Sequence, residues 1–155
     1  MKEVAIQDQY SEDASYCYGC GRLNEHGLQI KSYWDGDETV CRFEPKPYHT
    51  AIPGYVYGGL IASLIDCHST GSAAMAASRA QQDHEDAPPR FLTASLHVDY
   101  LRPTPLGIRL IVRSRIKEIK GRKVVVESTL YAGDEVCARG VVVAVQAPDK
   151  LFERT

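Results

Sequence analysis

Apolar and polar positions follow two rhythms along the chain. From Ile61 to Met75 the residues Ile61, Leu64, Ile65, His68 and Met75 fall on one stripe at helical spacing. That is the period of an α-helix with one covered face. It predicts a helix that opens at Gly58 or Gly59, just after a Pro53-Gly54 turn, and runs to about Gln82. Elsewhere the period is two. Leu92, Ala94, Leu96, Val98 and Tyr100 alternate with Thr93, Ser95, His97 and Asp99, which predicts a half-buried strand. Alternation also marks 108–119, 123–131 and 136–145, separated by turns at Lys120-Gly121-Arg122 and Ala132-Gly133-Asp134. Short turns between adjacent strands predict an antiparallel meander. Residues 28–34 and 39–43 flank Asp35-Gly36-Asp37 as a hairpin, which Pro45 and Pro47 end. The sum is an α+β chain with one antiparallel sheet and one long helix to cover it.

Length and charge narrow the classes. The 155 residues suit a single domain over 1–155, and residues 1–15, acidic and weakly patterned, read as a flexible tail. The net charge of −2 offers no basic field for nucleic acid. No apolar run is long enough to span a bilayer, and the N-terminus is unlike a signal peptide. Five cysteines, an odd number, predict free thiols in a reducing cytoplasm. Cys17-Tyr18-Gly19-Cys20 with His26 supplies three potential metal ligands where structural zinc wants four, and no second pair follows. A redox site would need the motif at a strand-to-helix junction. The expectation is therefore a glycine-rich turn with buried thiols, no metal and no cofactor.

The chemistry concentrates at the helix. Glycines at a helix start let a ligand approach the backbone, and first-turn N–H groups suit an oxyanion. Asp66 comes about two turns later and faces away from the apolar stripe. Its own face carries Gly59, Ala62, Ser63, Ser69, Thr70 and Ala73, and no Lys, Arg or Glu precedes Arg79 on this helix. A solvated aspartate on an outer face is the plain alternative, but such faces usually carry Lys and Glu. Cys67, turned about 100° from Asp66, reads as a packed thiol. His68 reads as a core histidine, and His49 as a solvated or capping loop residue.

Tyr57-Gly58-Gly59 followed by Asp66 resembles the motif of hotdog-fold acyl-CoA thioesterases of the phenylacetate-degradation type. So does the opening Cys17-x-x-Cys20-Gly21, Asn24, His26-Gly27-Leu28, and the resemblance extends roughly from Cys17 to Val145. It implies a curved antiparallel sheet wrapped around one long central helix, and hydrolysis of an acyl-CoA to a free acid and coenzyme A. It makes Asp66 the base or nucleophile, Gly58 and Gly59 the amide donors to the thioester carbonyl, and Thr93 the holder of water or carboxylate. It implies a site shared between subunits, in a homodimer or a dimer of dimers. Tyr57 departs from the family's usual His; this touches the side chain's role and not the glycine amides. Arg109, Arg113, Arg115, Lys117, Lys120, Arg122 and Lys123 form a basic cluster suited to phosphate, with Tyr57, Arg113, Arg122 and Lys123 as the substrate-binding set. An ordinary solvated strand face is the alternative. Three rival readings are a non-catalytic acyl-CoA binding protein, which should lack the acid; an enoyl-CoA hydratase, whose Asp/His spacing Asp66 and His68 do not match; and nucleic-acid binding through the cluster.

Overall fold

The computed structural model describes residues 3–81 and 86–153; the connector residues Asp83, His84 and Glu85 lie outside them. Six strands, β1 (Ser32–Asp35), β2 (Glu38–Phe43), β3 (Phe91–Tyr100), β4 (Leu110–Lys120), β5 (Lys123–Ala132) and β6 (Glu135–Gln146), form one sheet around a single long helix, α1 (Gly58–Ala80). The sheet is antiparallel throughout, in the order β1-β2-β4-β5-β6-β3. This is the hotdog arrangement. Among the described residues no helix is long and apolar enough to cross a membrane.

Local chemistry accounts for the connections. The β1–β2, β4–β5 and β5–β6 links are two residues long, each starting with a glycine at positive φ: Gly36 (64°), Gly121 (60°) and Gly133 (62°). A glycine with positive φ at the first central position matches the right-handed twist of the paired strands. β3, in contrast, has no hairpin partner. Among the described residues its only neighbour in the sheet is β6, at the far edge from β1.

Leu60, Ile61, Leu64 and Ile65 of α1 are buried in one cluster with Leu110 and Val112 of β4, Leu130 of β5 and Val142 of β6. Each such side chain contributes about 1.5–3 kcal/mol on burial. Beyond Asp66 the helix departs from the one-stripe expectation: residues 67–75 are buried on all sides. Buried hydroxyls therefore need partners. His68, fully buried, bonds Ser32 Oγ through Nδ1 (2.8 Å) and Thr39 Oγ1 through Nε2 (3.3 Å), and Thr39 in turn bonds Ser72 (2.6 Å). Ser69 and Ser114 both reach Ser128, at 2.8 and 2.6 Å. His68 is thus the core histidine its place on the stripe suggests. Burial pushes its pKa down to about 4.

Residues 3–15, expected to be a flexible tail, are instead docked. Ile6 and Tyr10 are buried against Ala73, Ala74 and Met75. The Gln7 side chain donates to Ser32 Oγ (2.9 Å) and accepts from Ser32 N (2.8 Å). Ala5, Ile6 and Tyr10, one glutamine and the Asp8–Lys31 ion pair hold the segment, too irregularly spaced to set a sequence period.

Candidate active site

α1 begins at Gly58 without a side-chain cap, because Tyr57 at the N-cap makes no hydrogen bond to the first turn. Leu60 N donates to Tyr57 O (3.2 Å), while the N–H groups of Gly58 and Gly59 have no intrahelical acceptor and carry the positive end of the helix dipole. Two tyrosines frame the turn. The Tyr100 hydroxyl, at the end of β3, donates to Gly58 O (2.8 Å). The Tyr57 ring lies over Gly59, where a Cβ would come within 2.5 Å of ring carbon Cε2. Tyr57 is 40% exposed. Ser63 donates back to Gly59 O (2.8 Å).

Asp66 is half-buried on the same helix, on the side that faces β3. Thr93 Oγ1 donates to Asp66 Oδ1. The contact depends on an irregularity that strict alternation conceals. Thr93 pairs with Ala144 and Ser95 with Val143, so Ala94 is an extra residue, a β-bulge. Before it Phe91 and Thr93 turn toward the helix; after it Val98 and Tyr100 do. The alternation read from the sequence put Thr93 on the face opposite Val98 and Tyr100. The bulge brings all three to the helix side. β3 is also more exposed than a half-buried strand: Leu92 is 44% and Leu96 40% exposed.

The remaining expected residues sit apart from this pair. Asp35, Glu44 and Glu38 accept from Arg113 (2.9 Å), Arg109 (3.2 Å) and Arg115 (3.3 Å), and Lys117 pairs with Glu127 (3.2 Å). Arg113 alternates with buried Val112 and Ser114, so it is on the sheet's outer side, away from Asp66. The row is therefore largely neutralised by cross-strand acids, which a list of basic positions does not reveal. Arg122, in the β4–β5 turn, and Lys123, the first residue of β5, lie two strands from β3 at the end where Thr93 lies; Arg122 donates to Gln146 O (3.1 Å). His49 accepts from Lys46 N (2.9 Å) in its own loop, the capping role expected of it, and burial with nearby Lys46 lowers its pKa. Cys67 points away from Asp66 into the core, as expected, but meets Cys17, 3.9 Å from sulfur to sulfur. That neighbour was not foreseen, because 50 residues separate the two.

One carboxylate, oriented by a hydroxyl and set on a helix whose first turn offers amide donors, is suited to deprotonating water or attacking an acyl carbon. Comparisons with known proteins give the family. Residues 53–144, more than half of the chain, match the Thioesterase superfamily model. The chain is 36% identical over 96 residues to acyl-coenzyme A thioesterase THEM4 of Xenopus laevis, covering 62% of this chain and 38% of that protein. It is 30% identical over 114 residues to the Bos taurus protein of the same name, covering 70% and 41%. The chain thus spans about two fifths of the length of these relatives. A crystal structure of a thioesterase superfamily protein from Shewanella loihica PV-4 is 53% identical, with a TM-score of 0.71, over 92% of this chain and 99% of that one. The E. coli PaaI protein of the phenylacetic acid degradation operon shares the fold at 14% identity, with a TM-score of 0.64 over 78% and 81%. With its sheet, helix and glycine-opened first turn in place, the chain belongs to the thioesterase superfamily.

Proposed function

We propose that the chain is an acyl-CoA thioesterase, hydrolysing an acyl-CoA to the free acid and coenzyme A. The observation that carries this reading is the hydrogen bond from Thr93 to Asp66, on a helix whose N-terminus is uncapped. Asp66 accepts the proton of an attacking water, or attacks the thioester carbon itself. Thr93 holds one carboxylate oxygen and leaves the other for the reaction. The N–H groups of Gly58 and Gly59 stabilise charge on the carbonyl oxygen. A thiolate is a good leaving group, so one base and one oxyanion site suffice. Tyr57 borders the acyl group beside Gly59. Arg122 and Lys123 provide cationic groups for coenzyme A phosphates, whereas the charge of Arg113 is engaged by Asp35.

Along one chain Gly59 and Asp66 are about 10 Å apart, from seven residues at 1.5 Å each. A second copy brings its own glycine turn to this carboxylate, so the active unit is a homodimer or a dimer of dimers. The exposed apolar residues of β3, Leu92 and Leu96, favour such a cover. Free thiols suit a cytoplasmic setting. The test is thioester cleavage by the purified chain across a panel of acyl-CoA substrates, short and long, aliphatic and aromatic. Coenzyme A binding with no cleavage of any member would replace the enzyme by an acyl-CoA binding protein.

A further inference from the structure

Three thiols converge away from the Asp66 pair. The Sγ atoms of Cys17, Cys20 and Cys67 all lie within 4.8 Å of one another, and Cys17 is 3.9 Å from Cys67. We propose that this triad binds a thiophilic divalent cation of the Zn²⁺ class, with three protein sulfurs as ligands and a fourth ligand from solvent. The sequence offered His26 as the third ligand, but His26 is 86% exposed and pairs with Glu25; the helix supplies Cys67 instead.

Distances and backbone chemistry support the site. Zn–S bonds of about 2.3 Å in a tetrahedron place sulfurs about 3.8 Å apart. The Cys17–Cys67 separation already has that value, before any ion draws the groups in. The Cys-x-x-Cys-Gly turn is closed by Gly21 N donating to Cys17 O (2.7 Å). A Cβ on Gly21 would lie 2.4 Å from Cys17 N, so only glycine allows this closure. A Cβ on Gly19 would lie 2.3 Å from Cys67 Sγ, so the loop rests directly on the helix thiol. Cys17 Sγ and Cys67 Sγ are within hydrogen-bond reach of each other, so loop and helix thiols already converge on one point.

The surroundings fit a charged centre. Arg90 reaches Cys20 Sγ at 3.8 Å and offsets part of the thiolate charge. Tyr10 Oη is buried without a hydrogen-bond partner, and the Arg90 guanidinium lies over the Tyr10 ring at 5.0 Å. Cys17 is half-buried and borders a surface depression of about 190 Å³ together with Arg90 and Leu92. That opening gives an ion a route in and leaves room for a fourth ligand.

The test is a titration of the reduced, chelator-treated full chain with Co²⁺ and Zn²⁺ alone. One equivalent of Co²⁺ should bind per chain, with intense thiolate-to-cobalt charge-transfer absorption and the d–d bands of a tetrahedral site, and Zn²⁺ should displace it. Cys17→Ser, Cys20→Ser and Cys67→Ser should each weaken binding by more than the roughly 10–100-fold that losing an outer-shell partner costs. Cys41→Ser and Cys137→Ser, outside the triad, should leave it unchanged. Cys67 is in the core, so Cys17→Ser in the half-buried loop carries the test if Cys67→Ser does not fold. Absence of the charge-transfer band, or unchanged affinity in Cys17→Ser, overturns the proposal. So does a disulfide among the three that forms under mild oxidant as fast with Zn²⁺ as without it.

Discussion

Thr93 donates to the carboxylate of Asp66 across the space between β3 and α1, joining positions 27 residues apart. The bond makes the two residues unequal. Asp66 bears the charge; Thr93 fixes its direction. Asp66→Asn keeps the shape but accepts no proton, so kcat should fall roughly 10²–10⁴-fold with folding and acyl-CoA binding intact. Thr93→Ala should lose less, about tenfold, and Thr93→Ser should recover most of that loss. Steady-state thioester cleavage measures the order. A near-normal Asp66→Asn beside an inactive Cys67→Ser would reject the assignment.

The Tyr57 ring covers Gly59, while its hydroxyl makes no cap hydrogen bond to the first turn. Tyr57→Phe should therefore leave kcat unchanged. Tyr57→His should stay within about tenfold, or about 1.4 kcal/mol of barrier. A severe loss in Tyr57→Phe alone would show the hydroxyl donating to the reacting carbonyl.

Cations at the β4–β5 turn should act on capture rather than chemistry. Replacing Arg122 and Lys123 together by Ala should raise KM for acyl-CoA and leave kcat in place. The effect should shrink at high salt. Arg113→Ala, whose partner is Asp35, should change KM little. An equal KM rise with an acyl-pantetheine substrate, which lacks the nucleotide, would contradict this division.

Gly140 of β6 lies against Ile65 of α1, and a Cβ there would come within 2.6 Å of Ile65 Cγ2 and 3.2 Å of His97 O. Gly140→Ala should cost about 1–3 kcal/mol by overpacking. In an Ile65→Ala background the same change should cost less, because the clashing methyl is gone. Urea unfolding of the four proteins completes the cycle; strict additivity would deny the contact.

The chain should sediment as at least a dimer in dilute solution. Leu96→Lys on β3 should shift it toward monomer and lower activity in parallel. A fully active monomer would end the shared-site reading.

The first half of the helix and the meander were legible because each shows its period; the helix beyond Asp66 is buried on all sides, and the first hairpin strand, expected from Leu28, begins only at Ser32. Asp66 was legible as the one carboxylate on a helix face of small residues. The bulge at Ala94 was not, since Leu92 to Tyr100 alternates in sequence without a break while the backbone does not. Nor was the thiol triad, whose helix member is 50 residues from Cys17. The basic row is visible in the sequence as residues but its pairing is not, because Asp35, Glu38 and Glu44 come from other segments. Ile6 and Tyr10, too sparse to form a pattern, concealed a docked N-terminus.

The position of β3 also governs the order in which the chain folds. β4, β5 and β6 close by two-residue turns, so each finds its neighbour locally and fast. β3 is made before all three, yet the strand it pairs with is the last one, β6, with Phe91 opposite Gln146. It must wait through the formation of the whole meander, with Leu92 and Leu96 uncovered and both of its edges unpaired. Closing that long loop is a slow step, and an unpaired apolar strand is a template for aggregation. Conditions that stall synthesis or refolding before residue 146 should therefore trap insoluble chains, whereas variants that slow only the β1–β2 hairpin should not.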